Sequence, residues 1–166
     1  MSYQEIDKVG PVEARRYAVE YLKRVVCVSM GWESPEAVEG SLCGPVAKDG
    51  YGRPVKIKTA KLSMTLHGKC KLYDCEMERE ATELRGQGLY YAFVGHHLSY
   101  TKDWPEETSL ILDKLALEPI FITRVNYLYV HSLARRQKCH MDLERNRGGA
   151  NYRNIPVGQW FVHNGY

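Results

Sequence analysis

Apolar positions at helical spacing mark the N-terminal part of the chain. They follow Pro11, whose missing N–H costs nothing in the first turn of a helix, and they predict an amphipathic helix over residues 11–29. These positions are Val12, Ala14, Ala18, Tyr21, Leu22, Val25 and Val26. Ser34 and Pro35 then form an N-cap and N1 pair, which predicts a second short helix ending near residues 40–44.

An alternating pattern follows a glycine- and proline-rich stretch at residues 44–54, which itself predicts a loop or a hairpin. Over residues 55–66 apolar and polar side chains alternate, with a change of phase at Ala60–Lys61. The pattern predicts a half-buried strand that is bulged or broken into two. Gly68 turns the chain, and residues 69–73 could pair back onto this strand.

The rest of the chain alternates between helical and strand patterns. Residues 120–137 fit both, and we predict a short strand that leads into a helix. The other predicted elements are a charged, largely exposed helix over 74–85, a buried strand over 88–94, a helix over 106–117, a loop over 145–154 and a strand over 160–162. This order predicts an α+β fold, as a single domain over residues 1–166 with a mostly antiparallel sheet and several helices.

The composition is that of a folded domain. The 166 residues match one ordinary domain, and 44% hydrophobic with 26% charged residues argue against a disordered chain. No secretory signal is visible, and no apolar run is long enough to span a bilayer. We therefore expect a cytoplasmic protein without a membrane partner. Its five cysteines, irregularly spaced, predict reduced thiols rather than disulfides.

Charge alternates in blocks although the net charge is only +3. Residues 1–47 and 72–118 have net charges of −2 and −6, whereas residues 48–71 and 119–166 have net charges of +6 and +5. If the two basic blocks meet in the fold, they form a positive face that attracts polyanions. The alternative is that each basic block lies against an acidic one and the fields cancel.

A segment rich in arginine, glycine and asparagine is the first candidate site. Arginine forks suit phosphate oxygens, glycine lets a backbone approach a ligand, and a tyrosine between arginines can stack on an unpaired base. Cations at the preceding helix end extend the basic run, although they also suit the helix dipole. The alternative is a solvated surface loop. The candidate nucleic-acid contacts are Arg135, Arg136, Lys138, Arg145, Arg147, Tyr152 and Arg153.

The lysine-rich strand is the second candidate. A strand face with several lysines could follow a phosphate backbone, and Lys56 and Lys58 would then support the arginine contacts. Lysines also protect exposed sheet edges from aggregation, which is the alternative interpretation. The other lysines of this second candidate are Lys61, Lys69 and Lys71.

A zinc site could draw on Cys70, Cys75, Cys139 and His140, because thiolates and imidazoles are the ligands that zinc prefers. The chain has no CxxC pair, however, and free buried cysteine is the commoner state. We therefore expect no bound metal and no cofactor.

His96 and His97 follow the predicted strand 88–94, where a histidine could act as a general base. Asp74 and Glu76 could hold Mg²⁺ in a nuclease-like site, but no D…ExK pattern accompanies them. A structural role for these histidines is the alternative.

Few known signatures are present. A helix-turn-helix over residues 106–137 lacks a glycine in its turn at residues 117–119. The nucleotide-binding GxGxxG and GxxxxGK[ST] motifs, GxSxG and HExxH are absent. Our leading hypothesis is a small nucleic-acid-binding protein with a regulatory role. The alternatives are a metal-dependent nuclease acting on DNA or RNA, and a protein-interaction or inhibitor module with a protein partner.

Overall fold

The computed structural model describes residues 20–36, 46–96, 120–143 and 150–163. These residues form eight strands: β1 (Glu33–Glu36), β2 (Val46–Lys48), β3 (Pro54–Lys61), β4 (Lys69–Tyr73), β5 (Tyr90–His96), β6 (Ile120–Asn126), β7 (His140–Asp142) and β8 (Ala150–Pro156). Within the same ranges lie four helices: α1 (20–30), α2 (Asp74–Glu83), α3 (Tyr127–Arg135) and α4 (Gly158–His163).

The strands form two sheets. The larger has the order β1-β2-β3-β5-β6, and only its β3–β5 pair is parallel. The smaller is antiparallel, with β8 between β4 and β7. The α+β class and the mostly antiparallel pairing are therefore confirmed, with two sheets in place of the single one expected. No helix in the described ranges is long and apolar enough to cross a membrane.

Each face of the larger sheet has its own apolar core. On one face, Leu22 and Val26 of α1 pack with apolar side chains of β3 and β5. On the other face, the smaller sheet and the helices α2, α3 and α4 close a second core, whose members include Leu72, Met77, Phe93, Val130, Ile155 and Phe161. The alternation along β3 explains the two faces, because Val55 and Ile57 belong to the first core and Ala60 to the second.

Several predicted elements are confirmed. Residues 120–137 contain a strand that leads directly into a helix, and the helix predicted over 74–85 is α2. The glycine-rich stretch 44–54 contains the β2–β3 hairpin. The strand predicted over 88–94 is β5, displaced by two residues. The helix predicted over 106–117 lies outside the described residues.

Other predictions were wrong at particular positions. Residues 33–36 are a strand, not the start of a helix, and residues 158–163 are a helix where a strand was predicted. The strand predicted over 55–66 ends at Lys61, and a turn follows it. The second half of the predicted loop 145–154 belongs to β8, which pairs with β4.

The helix-turn-helix hypothesis is also wrong, because residues 120–126 are the strand β6 and its second helix would have to cross them.

Candidate nucleic-acid interface

The outer face of the smaller sheet places three rings side by side, one on each strand. Tyr73 of β4 pairs with Tyr152 of β8, and Tyr152 pairs with His140 of β7. Because the strand period is two, the neighbours Leu72 and Ile155 point to the opposite face and are buried in the core. We call Tyr73, Tyr152 and His140 the aromatic row.

The rings of the aromatic row are in contact. The Tyr73 and Tyr152 ring centroids are 5.8 Å apart with planes inclined at 55°. The His140 and Tyr152 centroids are 5.3 Å apart with planes inclined at 22°. All three side chains are half-buried, so the row presents aromatic surface to solvent on a rigid sheet. Solvent-facing aromatic surface of this kind can stack on planar ligands.

A column of lysines borders the aromatic row on β4. Lys71 is exposed, and its Nζ lies 4.3 Å from the Tyr152 ring centroid and 5.8 Å from that of Tyr73. Lys69 is the next residue of β4 on this face and is also exposed. Neither ammonium forms an ion pair with another described residue. Both therefore retain their charge for an external anion.

One carboxylate lies on the same face. Asp142 follows His140 on β7, and its Oδ2 accepts a hydrogen bond of 2.8 Å from the Tyr73 hydroxyl. This bond fixes the phenol of Tyr73 and joins the two outer strands across β8.

The structure places the predicted lysines Lys56 and Lys58 elsewhere. Both point to the face of the larger sheet that carries the second core. There Lys56 is buried, and its Nζ lies 3.8 Å from Oε1 of Glu80. The Nζ of Lys58 lies 3.5 Å from Oε2 of Glu76, and 20% of the Lys58 side chain is exposed. Each ammonium has an internal carboxylate partner, an arrangement that favours a structural role for both side chains.

Lys56, Glu80, Tyr91 and His131 form a polar core cluster. Glu80 Oε2 accepts a hydrogen bond from the Tyr91 hydroxyl and lies 3.0 Å from Nε2 of His131. All four residues are buried. Burial is the main cause that lowers the pKa of Lys56, and the charge of Lys58 lowers it further, whereas the charge of Glu80 acts in the opposite direction. Sequence reasoning missed this cluster because α2 looked exposed on every side.

Arg153 contacts protein atoms rather than solvent. Its Nε donates to Oδ1 of Asp74 at 3.1 Å, and its Nη1 donates to the backbone carbonyls of Arg135 and Gln137 at 3.0 Å each. The hydrogen bond to Asp74 raises the pKa of Arg153. Arg153 therefore joins the end of α3 to β8 and to the start of α2.

The other predicted cations fall into two groups. Arg135, Arg136 and Lys138 are exposed on the segment that leads from α3 into β7, and the bonds from Arg153 hold this segment beside the smaller sheet. Arg145 and Arg147 lie outside the described residues.

The candidate metal ligands are not brought together. Cys70 points into the core whereas His140 lies on the outer face, and Cys139 is exposed in the loop before β7. Among the described residues no group of three or more potential ligands could hold a metal ion. Cys70 and His140 therefore cannot bind the same zinc ion, and the predicted set of four ligands is wrong.

The groups considered for a nuclease site are similarly separated. Asp74 pairs with Arg153, and Glu76 pairs with Lys58. His96 is buried at the end of β5, and its carbonyl accepts a hydrogen bond from the Leu62 N–H. His97 lies outside the described residues. This arrangement favours structural roles for the two carboxylates.

The thiols differ in accessibility, and this gives a first testable prediction. Burial raises the pKa of Cys70 from 9.0 to about 12, against the opposing charge of Lys58, and burial also raises the pKa of Cys27. With a pKa of about 12, Cys70 carries almost no thiolate at neutral pH. We expect N-ethylmaleimide to modify exposed Cys139 rapidly in the native protein, and Cys27 and Cys70 only after unfolding. Site-resolved mass spectrometry measures this, and equal native rates for Cys70 and Cys139 would contradict it.

The chain matches no protein-family model, and no curated protein and no solved structure shows significant similarity to it. Its function therefore has to be argued from the geometry of its own side chains.

Proposed function

We propose that this protein binds single-stranded nucleic acid on the outer face of the β4–β8–β7 sheet. The observation that supports the proposal is the aromatic row of Tyr73, Tyr152 and His140 beside two exposed lysines without an acidic partner among the described residues. Rings offer stacking surface for bases, and lysines neutralise phosphates, so the two features together match the two halves of a nucleotide.

The aromatic row favours unpaired bases over a duplex. In a duplex the faces of the bases are already stacked on their neighbours, and only their edges and the phosphates are accessible. The helices α2, α3 and α4 pack on the core side of this sheet, so among the described residues they do not lie on the ring-bearing face, where a helix could enter a groove. Stacking on a protein ring contributes roughly 1–3 kcal/mol per base, and this gain is available only when the base is free.

Lys71 connects the two parts of the surface. Its ammonium lies over the Tyr152 ring, 4.3 Å from the ring centroid. A base that stacks there displaces the ammonium, which then becomes available to the phosphate of the same nucleotide. Arg135, Arg136 and Lys138 are exposed on the segment that leads into β7, and they would add positive charge near this edge of the sheet. Binding through these cations would weaken as the salt concentration rises.

Replacing Tyr152 by alanine tests the proposal. We expect affinity for short single-stranded DNA and RNA to fall about 5- to 150-fold, the equivalent of roughly 1–3 kcal/mol, with a much smaller effect on duplex binding. Lys71→Ala should weaken binding and reduce the slope of log K against log salt by about 0.7. Fluorescence anisotropy at two salt concentrations measures both effects.

The hairpin between β2 and β3 provides matched controls. Tyr51 is 87% exposed and lies beside Arg53, and Lys48 is an exposed strand lysine, but neither belongs to the smaller sheet. Tyr51→Ala and Lys48→Ala should leave the affinity within about twofold of the wild type. The proposal is wrong if the wild-type protein binds no single strand at low salt, or if Tyr51→Ala weakens binding as much as Tyr152→Ala.

A further inference from the structure

The side chain of Asn154 lies beside the aromatic row and has no hydrogen-bond partner among the described residues. Asn154 follows Tyr152 by two residues on β8, so the two side chains share the outer face at a spacing of about 6.8 Å along the strand. Asn154 is half-buried and pairs across the sheet with Lys71. Its amide forms no hydrogen bond with another described residue.

Two other asparagines, Asn126 and Asn151, have side-chain amides in different surroundings from that of Asn154. Asn126 caps α3, where its Oδ1 accepts a hydrogen bond from the Leu128 N–H. Asn151 is exposed on the opposite face of β8, where water can satisfy it. Asn154 has no partner among the described residues and is less exposed than Asn151, and its amide, which still reaches solvent, can gain from a ligand that supplies hydrogen bonds.

We propose that Asn154 reads the edge of the base that stacks on Tyr152, so that the surface discriminates among bases. This inference rests on the proposed binding of single strands. Ala150 and Asn154 flank Tyr152 on this face, and of the two only Asn154 has a side chain that can hydrogen-bond to a base lying over the ring. The amide presents a donor beside an acceptor, and every base has such a pair on its Watson–Crick edge, at a position that differs from base to base. An amide held at a fixed distance from Tyr152 therefore forms two parallel hydrogen bonds with some edges and not with others.

The amide and a carboxylate recognise different edges. An aspartate at position 154 would only accept hydrogen bonds when ionised, and guanine is the base that presents two adjacent donors, N1–H and N2–H₂. The added negative charge weakens binding of every strand to a similar extent. The informative quantity is therefore the ratio of affinities among bases within each variant.

The experiment uses seven-nucleotide DNA strands with one base at the centre and abasic sites elsewhere, in four versions. For the wild-type protein we expect the best and the worst base to differ at least about fivefold. Asn154→Ala should bring the four affinities to within about twofold, and Asn154→Asp should shift the ratios towards guanine. Asn151→Ala, on the opposite face of the same strand, should leave the wild-type ratios unchanged.

The outcomes separate this inference from the proposed function. If all four strands bind with equal affinity and Tyr152→Ala abolishes that binding, base reading by Asn154 is wrong while the binding surface stands. The same holds if Asn154→Ala retains the wild-type ratios. If no strand binds, and longer strands with all their bases also fail, the proposed function itself is wrong.

Discussion

Replacing Glu80 by alanine is expected to lower the free energy of unfolding by about 3–5 kcal/mol. Glu80 is 1% exposed, and it accepts the hydrogen bond of the Tyr91 hydroxyl and contacts His131. Its loss would remove the hydrogen bond that the carboxylate accepts from the Tyr91 hydroxyl and its contact with His131, and would leave the buried ammonium of Lys56 without the carboxylate 3.8 Å away. Chemical denaturation in urea measures the change.

Two further variants identify the cause of that loss. Glu80→Gln keeps the shape and one acceptor but removes the charge, so Lys56 becomes the uncompensated group. Adding Lys56→Met to Glu80→Gln removes that charge as well, and the double variant should be more stable than the sum of the single effects predicts. Glu78→Ala changes an exposed glutamate of the same helix and should cost less than about 0.5 kcal/mol. Equal effects for Glu78→Ala and Glu80→Ala would contradict the role of the cluster.

Glu80 also shows why the sequence could not predict this part of the core. The acids and bases of α2 occur on every side of the helix, a pattern typical of an exposed helix. Burial of Glu80 depends on Tyr91 and His131, which come from β5 and α3. Three elements have to meet before the carboxylate has partners, and no local spacing encodes that meeting.

The five lysines of β3 and β4 show the same limit. Their alternation on β3 and β4 was visible in the sequence, and it predicts which lysines share a face. It does not reveal that Lys56 and Lys58 face α2 while Lys69 and Lys71 face solvent. The charge that could attract a polyanion is consequently on β4, whereas the sequence-based hypothesis places it on β3, at Lys56 and Lys58.

The aromatic row was only partly predictable. Tyr152 stands between cations in the sequence and is therefore a predicted contact, but the composition of its segment predicts a loop. Ile155 and Val157 are both buried, and this alternation with Asn154 and Pro156 was the signal for a strand. The pairing of that strand with β4 and β7 brings Tyr73 and His140 beside Tyr152, and pairing partners so distant in sequence follow from tertiary structure alone.

Gly158→Ala is expected to have the second large effect, because the backbone leaves no space for a side chain there. A Cβ at this position would overlap the carbonyl oxygen of Leu66 and would lie 3.1 Å from Cα of His67. Both contacts are with backbone, so no side-chain rotation can relieve them. Leu66 already has a positive φ of 61°, which limits how this turn can adjust.

The turn that contains Leu66 also supports the start of α4. The Val157 N–H donates to the Gly68 carbonyl at 3.0 Å, and Phe161 of α4 is buried in the second core. Moving the turn to admit a methyl group would therefore disturb that hydrogen bond and the packing of α4. We expect Gly158→Ala to cost at least about 3 kcal/mol, the upper end of ordinary overpacking effects.

A second glycine provides the control for backbone freedom. A Cβ added at Gly50 would meet no atom within 4 Å, and this glycine has no positive φ. Gly50→Ala should therefore raise the free energy of unfolding, by less than about 1 kcal/mol. Urea denaturation of both variants gives the comparison. If Gly158→Ala is as stable as the wild type, the close approach of Leu66 to α4 is not a constraint on the fold. If it is destabilised while single-strand binding persists below the transition, the outer face of the smaller sheet forms independently of this contact.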